Sequence, residues 1–361
     1  MLLYIPQTVC VSGGIVKGTV ELDFRLLHEE QVEEVHVKLR GYARTDIRRN
    51  NQTIRQFVEL ARENTSVWTR GSIYPSPGQH ALVVPFQFRL PADLPPSFSC
   101  STIGAWAVVR YYVEAVGVRP GMLRLNKRAS QPLAVVPHDS IGQRIKTQVL
   151  AGWRGPMGDG YAEKRIRKGL WGDYATVEMK YMCPMISVFP LFTKVPFVLT
   201  IVTKSKEMDR DSEKKLWPVP PRSPREWSNH TVCSLGGLGG SAGDPDMETP
   251  ENEWIPSESE KGKGRWKQTV SFSSSLEFKC PPSFRFPILT CEYSLHIEVS
   301  FGGLFNSISV DIPAVIGSGM LSLEDTTQSD TSPIIVVHPS ANALDLPPSY
   351  WSTESWNDHK E

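Results

Sequence analysis

The stretch PGQHALVVPFQFRLPADLPPSF, residues 77–98, decides the fold. Val84, Phe86, Phe88 and Leu90 alternate with Pro85, Gln87 and Arg89. Side chains two apart in an extended chain share a face, so this is a strand with one apolar and one polar side. Leu90-Pro91 closes it. Pro95-Pro96 then forces an extended turn without amide donors, and Phe98 is expected to tuck into the edge of a core. A further strand follows in RYYVEAVGVRP, residues 110–120.

The same period of two recurs on both sides of this stretch. It is present at Val20 and Leu22, at Val35, Val37 and Leu39, and at Val177, Met179 and Tyr181. It returns at Tyr293, Leu295, Ile297, Val299 and Phe301, and at Ile308, Val310 and Ile312. Half-buried antiparallel strands of this kind pair into sheets, and two sheets over one core make a β-sandwich. Helical spacing occurs once, in TIRQFVELARE (53–63), where Ile54, Phe57, Val58 and Ala61 predict a short helix.

Pro95-Pro96-Ser97-Phe98 recurs as Pro281-Pro282-Ser283-Phe284, each time ahead of a strand with Tyr at or near its start. A repeat of this size predicts two similar lobes. The reading is therefore all-β: two antiparallel β-sandwich lobes, 1–137 and 169–319, joined by a Gly-rich basic connector, 138–168. Residues 205–265 are rich in Pro, Gly, Ser and charge and poor in apolar side chains, which predicts a disordered insertion. The same argument predicts a disordered acidic tail over 320–361.

The chain has 361 residues, 22% of them charged, and no net charge, which excludes a globally basic nucleic-acid binder. Charge is uneven, however. Residues 110–168 hold twelve Lys and Arg against four acids, whereas 321–361 hold seven acids and one base. Lys164, Arg165, Arg167 and Lys168 form a candidate surface for anionic lipid or acidic segments. No apolar run of about 18 residues is present, as a membrane helix requires, and the start of the chain does not read as a secretory signal. Six scattered cysteines without Cys-x-x-Cys fit a reduced compartment, with neither a disulfide scaffold nor a metal site expected. No phosphate loop, dinucleotide fingerprint, nucleophile elbow or zinc-protease motif occurs, so neither catalysis nor a cofactor is expected.

Pro347-Pro348-Ser349-Tyr350 has the chemistry of a linear motif. Adjacent prolines preset a polyproline II ridge that fits the aromatic groove of a WW domain, and Tyr350 would fill the neighbouring pocket.

The ordered set of motifs resembles the α-arrestins, the arrestin-domain-containing and fungal arrestin-related trafficking adaptors. The resemblance rests on the 77–98 stretch, on the Tyr-x-Val-Glu of Tyr111-Tyr112-Val113-Glu114, and on Gly14 to Val20, GIVKGTV. It continues through Lys194 to Ile201 and Asp311 to Ile316. It implies two arrestin-like lobes and a non-catalytic adaptor in the cytoplasm, recruited peripherally to plasma membrane or endosomes. Such an adaptor links cytosolic regions of membrane proteins to a WW-domain HECT ubiquitin ligase, here through Pro347, Pro348 and Tyr350. The alternative is an arrestin-like scaffold in ambient-pH signalling or retromer-type endosomal sorting, with no ligase. The long 205–265 insertion departs from the family pattern. The cation–carboxylate clusters that lock β-arrestins are not identifiable, so that mechanism is not carried over.

Overall fold

The computed structural model describes residues 1–6, 9–50, 52–121, 124–169, 172–211, 217–218, 231–235, 240–242, 246–301, 306–322, 344, 346 and 348–351. In chain order the first elements are β1 (Leu2–Tyr4), β2 (Val9–Val11), β3 (Ile15–Asp23), α1 (Phe24–Glu29), β4 (Glu34–Arg49) and β5 (Gln52–Thr69). Then come β6 (Ala81–Arg89), β7 (Phe98–Thr102), β8 (Ala105–Val118), β9 (Lys127–Val136), α2 (Ser140–Leu150), β10 (Met157–Arg167) and β11 (Tyr174–Pro184). Next are β12 (Phe189–Pro190), β13 (Val195–Lys204), β14 (Met208–Asp209), β15 (Thr231–Leu235), β16 (Gly240–Ala242), β17 (Asp246–Met247) and β18 (Glu251–Pro256). The last are β19 (Lys263–Phe278), β20 (Phe284–Phe286), β21 (Leu289–Cys291), β22 (Tyr293–Ser300), β23 (Ser307–Ala314), β24 (Ile316–Gly317) and α3 (Pro348–Trp351). The chain is thus all-β, with short helices. Two compact units emerge: one of Met1–Gln143, Cys280–Cys291 and Gly317–Glu361, the other of Arg144–Lys279 and Glu292–Ile316.

In the first unit, a three-stranded sheet β1-β3-β6 accompanies a six-stranded sheet β2-β9-β8-β4-β5, with β7 on β8. The expected alternation sets the buried faces. Val16, Val20 and Leu22 of β3, Phe86 and Phe88 of β6, and Val35, Val37 and Leu39 of β4 all lie in the core. Residues 95–98 and 281–284, the two Pro-Pro-Ser-Phe segments, both belong to this unit, and the Phe98 and Phe284 rings meet edge to face at 5.6 Å. The repeat therefore brings two like segments together and does not mark one segment in each unit.

The helix expected over 53–63 is instead the middle of β5, paired antiparallel with β4 along its length. Register shifts at Val35/His36 and Gly41/Tyr42 place extra residues in β5. Each bulge flips the subsequent side chains to the other face, which erases the period of two from the sequence. Ile54 and Phe57 lie exposed, while Ala61 is buried.

In the second unit, β10-β11-β13-β19 form the spine of one sheet, and β14, β16, β17 and β18 also pair with β19. A second sheet has the order β15-β22-β23. Val195, Phe197, Leu199 and Ile201 of β13, Val177 and Met179 of β11, and Val270 and Phe272 of β19 are buried. On β22, Tyr293, Leu295, Ile297 and Val299 are buried, as their alternation predicts.

Two expectations are corrected by the ladder pattern. The connector 138–168 holds α2, with Asp139 Oδ1 accepting from the Gly142 N–H at 2.7 Å, and β10, paired with β11 from Met157 to Arg167. β10 is an edge strand, exposed over most of its length, so no apolar alternation announces it. Within 205–265, β14, β17, β18 and the start of β19 are strands, against the disorder expected there. Trp254 and Trp266 face each other across the β18–β19 hairpin with ring centroids 5.1 Å apart. A cross-strand aromatic pair holds such a hairpin where mean composition argues for a coil. β15 and β16 also fall in that segment, whereas 212–216, 219–230, 236–239 and 243–245, with most of 320–361, lie outside the described residues.

On the outer face of β22, His296 Nδ1 lies 2.9 Å from Asp311 Oδ1, and its Nε2 lies 3.6 Å from Glu298. The bond to Asp311 favours the imidazolium and raises the His296 pKa above its ordinary 6.5. The folded state then holds this proton more tightly than the unfolded one. Its contribution is fully present below the ordinary value and fades as pH rises through the raised one. At 33% side-chain exposure, solvent screening keeps the contribution small. An NMR titration of His296 is expected to show a midpoint above 6.5, with Asp311→Asn drawing it back down; an unshifted midpoint in the wild type contradicts this assignment.

Candidate functional site

The tail motif does not hang free of the first unit. Pro348–Trp351 form the helical turn α3, and Tyr350 is 0% exposed. Leu344 and Leu346, just upstream, are buried as well, at 1% and 6% exposure. This departs from the extended, solvent-facing motif expected from composition. Pro347 lies outside the described residues.

The pocket that receives Tyr350 is built from β8, β9 and the segment ahead of β7. The Tyr350 hydroxyl lies 2.6 Å from Ser97 Oγ and 2.8 Å from the Leu133 carbonyl, and the Tyr111 N–H points at it from 3.4 Å. Ser97 Oγ also accepts from the Val135 N–H at 2.8 Å. The two hydroxyl protons thus bridge Tyr350, Ser97 and the Leu133 carbonyl, and none of these buried oxygens lacks a partner. Arg110 stands beneath the ring, its guanidinium carbon 5.4 Å from the centroid, and Trp351 meets the ring edge at 5.1 Å. Arg110 is itself 5% exposed and also hydrogen-bonds Tyr42. Burial pushes the Tyr350 hydroxyl pKa well above that of a free phenol, so the ring docks as a neutral donor.

Tyr111, whose N–H faces the Tyr350 hydroxyl, is 0% exposed, and its own hydroxyl donates to the Pro95 carbonyl at 2.7 Å. Its ring lies directly against Gly41 of β4. A Cβ at Gly41 would stand 2.5 Å from Tyr111 Cδ1, so only glycine admits the ring there.

Ser97, Arg110, Tyr111, Leu133 and Leu344 were not singled out as site residues from the sequence. One signal pointed to Ser97 among them: Leu346 to Tyr350, LPPSY, repeats Leu94 to Phe98, LPPSF, with only the last ring changed. The two copies meet in the fold, since Tyr350 bonds Ser97.

The basic quartet lies in the second unit, on and just past β10. Arg165 and Arg167 both lie over the Tyr174 ring, at 4.3 and 5.1 Å. Lys164 points to the other face and donates to the Ser307 carbonyl at 2.7 Å. Lys168 is exposed beyond the strand end. The strand therefore divides the four charges, with the two guanidiniums together and Lys164 apart. Among the described residues, no cluster of three or more His, Cys, Asp or Glu could hold a metal, and no helix is long and apolar enough to cross a membrane.

No curated protein matches the chain. Residues 5–141 match the family model described as arrestin (or S-antigen), N-terminal domain. That span covers β2 through β9 and reaches the start of α2, the part of the first unit whose strands form the Tyr350 pocket. Over that span the chain is similar to an arrestin N-terminal domain.

Proposed function

We propose that this chain is a non-catalytic adaptor that brings a WW-domain HECT ubiquitin ligase to the cytosolic regions of membrane proteins. One observation carries the reading: a Pro-Pro-Ser-Tyr motif, residues 347–350, in the same chain as an arrestin-like N-terminal domain. The prolines supply the ridge and Tyr350 the ring that a WW groove takes. The adaptor works by positioning ligase against cargo, with Pro347, Pro348 and Tyr350 as the ligase contact. It acts in the cytoplasm, at plasma membrane or endosomes, where Lys164, Arg165, Arg167 and Lys168 give it affinity for anionic lipid.

The test is ubiquitination of a membrane cargo in cells that express the wild type or Tyr350→Ala as the sole copy. Wild type supports ligase capture and cargo ubiquitination, and the variant supports neither. If Tyr350→Ala retains both, the motif is not the ligase contact.

A second reading, an arrestin-like scaffold in pH signalling or endosomal sorting without a ligase, is favoured by the complete burial of Tyr350. There Tyr350 would serve only as a structural plug. Capture of the ligase by wild type and its loss in Tyr350→Ala decides against this reading.

A further inference from the structure

The site that would recruit the ligase is closed in the folded chain, on two separate counts. First, Tyr350 is 0% exposed, with its hydroxyl bonded to Ser97 and Leu133. A WW groove must take that same ring from solvent. Second, Pro348 opens the helical turn α3, a position that suits proline. A WW ridge needs the polyproline II backbone, with ψ near +145° where a helix has about −40°. The same residues cannot hold both conformations. Leu344 and Leu346 fasten the tail immediately upstream, both buried and joined by a Leu346 N–H to Leu344 carbonyl bond of 2.8 Å.

We propose that the first unit acts as an intramolecular competitor of the ligase: Tyr350 occupies either its own Ser97–Leu133 pocket or a WW groove, so ligase recruitment requires the tail to undock. The inference rests on the adaptor reading given above and adds its regulation. Its quantitative form is mass action. If only a fraction of molecules has the tail undocked, the apparent Kd for the WW module rises by the inverse of that fraction. Any event that frees Leu344, Leu346 and Tyr350 together turns recruitment on without altering the motif.

The experiment compares three ligands of one tandem WW module by calorimetry: a peptide of residues 341–356, the full wild-type chain, and the full chain carrying Leu344→Asp. Leu344 lies outside the Pro-Pro-x-Tyr motif, so the same change in the peptide serves as control and is expected to leave its affinity unaltered. The full wild-type chain is expected to bind at least about tenfold more weakly than the peptide. Leu344→Asp is expected to recover most of that difference. Hydrogen exchange read over 344–351 of the wild-type chain should show protection that is lost when the WW module is added. A peptide that binds while the full wild-type chain binds equally well overturns the inference and leaves the adaptor reading standing. A peptide that fails to bind overturns the adaptor reading, and this inference falls with it. The comparison of peptide with wild type needs no variant to fold.

Discussion

Tyr111→Ala is expected to destabilise the first unit by about 3–5 kcal/mol, the range for deleting a fully buried aromatic ring. The ring is 0% exposed, and its removal leaves a space beside Gly41 and under the Pro95 carbonyl. Gly41 has no side chain to move in, and β4 is held by ladders to β5 and β8 on its two sides, so collapse into the space is limited. The substitution also strands the Pro95 carbonyl, which accepts the Tyr111 hydroxyl at 2.7 Å. Tyr111→Phe isolates that second effect and should cost about 1–2 kcal/mol, because the packing survives and one buried acceptor loses its donor. Urea unfolding followed by circular dichroism reads both values. A loss below about 1 kcal/mol for Tyr111→Ala would mean that the first unit repacks freely. Because the Tyr111 N–H faces the Tyr350 hydroxyl, disturbing β8 in the alanine variant should also raise hydrogen exchange over 344–351.

Phe272→Ala is the counterpart in the second unit, with a similar expected cost of about 3–5 kcal/mol. Phe272 is 0% exposed on β19, opposite Leu199 of β13 and Met247 of β17. β19 is the strand on which β13, β14, β16, β17 and β18 all pair, so a cavity there touches more of the sheet than one on β10, at the rim. The expected signature is an earlier unfolding transition with exchange over 344–351 unchanged, since the tail belongs to the first unit. Loss of tail protection in Phe272→Ala would show that this assignment of the tail is wrong.

What the sequence disclosed depended on how regular each ladder is. β3, β4, β6 and β22 turn one face inward with a period of two over most of their length, and their alternation was legible. β5 was not, because its bulges restart the pattern twice, and because Ile54 and Phe57 stand in solvent, where they imitate a helical stripe. β10 was missed because an exposed edge strand has no apolar face to show. α2 was missed for a related reason: besides Gly142, only Ile145, Lys146 and Val149 of its residues are deeply buried, and one of them is a lysine. The strands around Trp254 escaped a compositional argument because two tryptophans hold the hairpin against an otherwise polar background. The motif at 347–350 was plain in the sequence, but its burial was not. The groups that hold Tyr350 stand far from it along the chain, at Ser97, Arg110, Tyr111 and Leu133, and no local pattern encodes a contact of that separation.

The first unit is assembled from three separate stretches of chain, and the second interrupts it. Ser318 Oγ reaches the Pro137 carbonyl at 2.6 Å, and the Asp139 N–H reaches the Met320 carbonyl at 2.9 Å, so the late stretch is stitched to the early one. During translation, β1 to β9 leave the ribosome long before Phe284 and Tyr350 exist to complete their core. At about 5–20 residues per second the delay is on the order of tens of seconds. Through that interval the segments that carry Ser97 and Leu133 exist without the ring that fills the space between them in the finished chain.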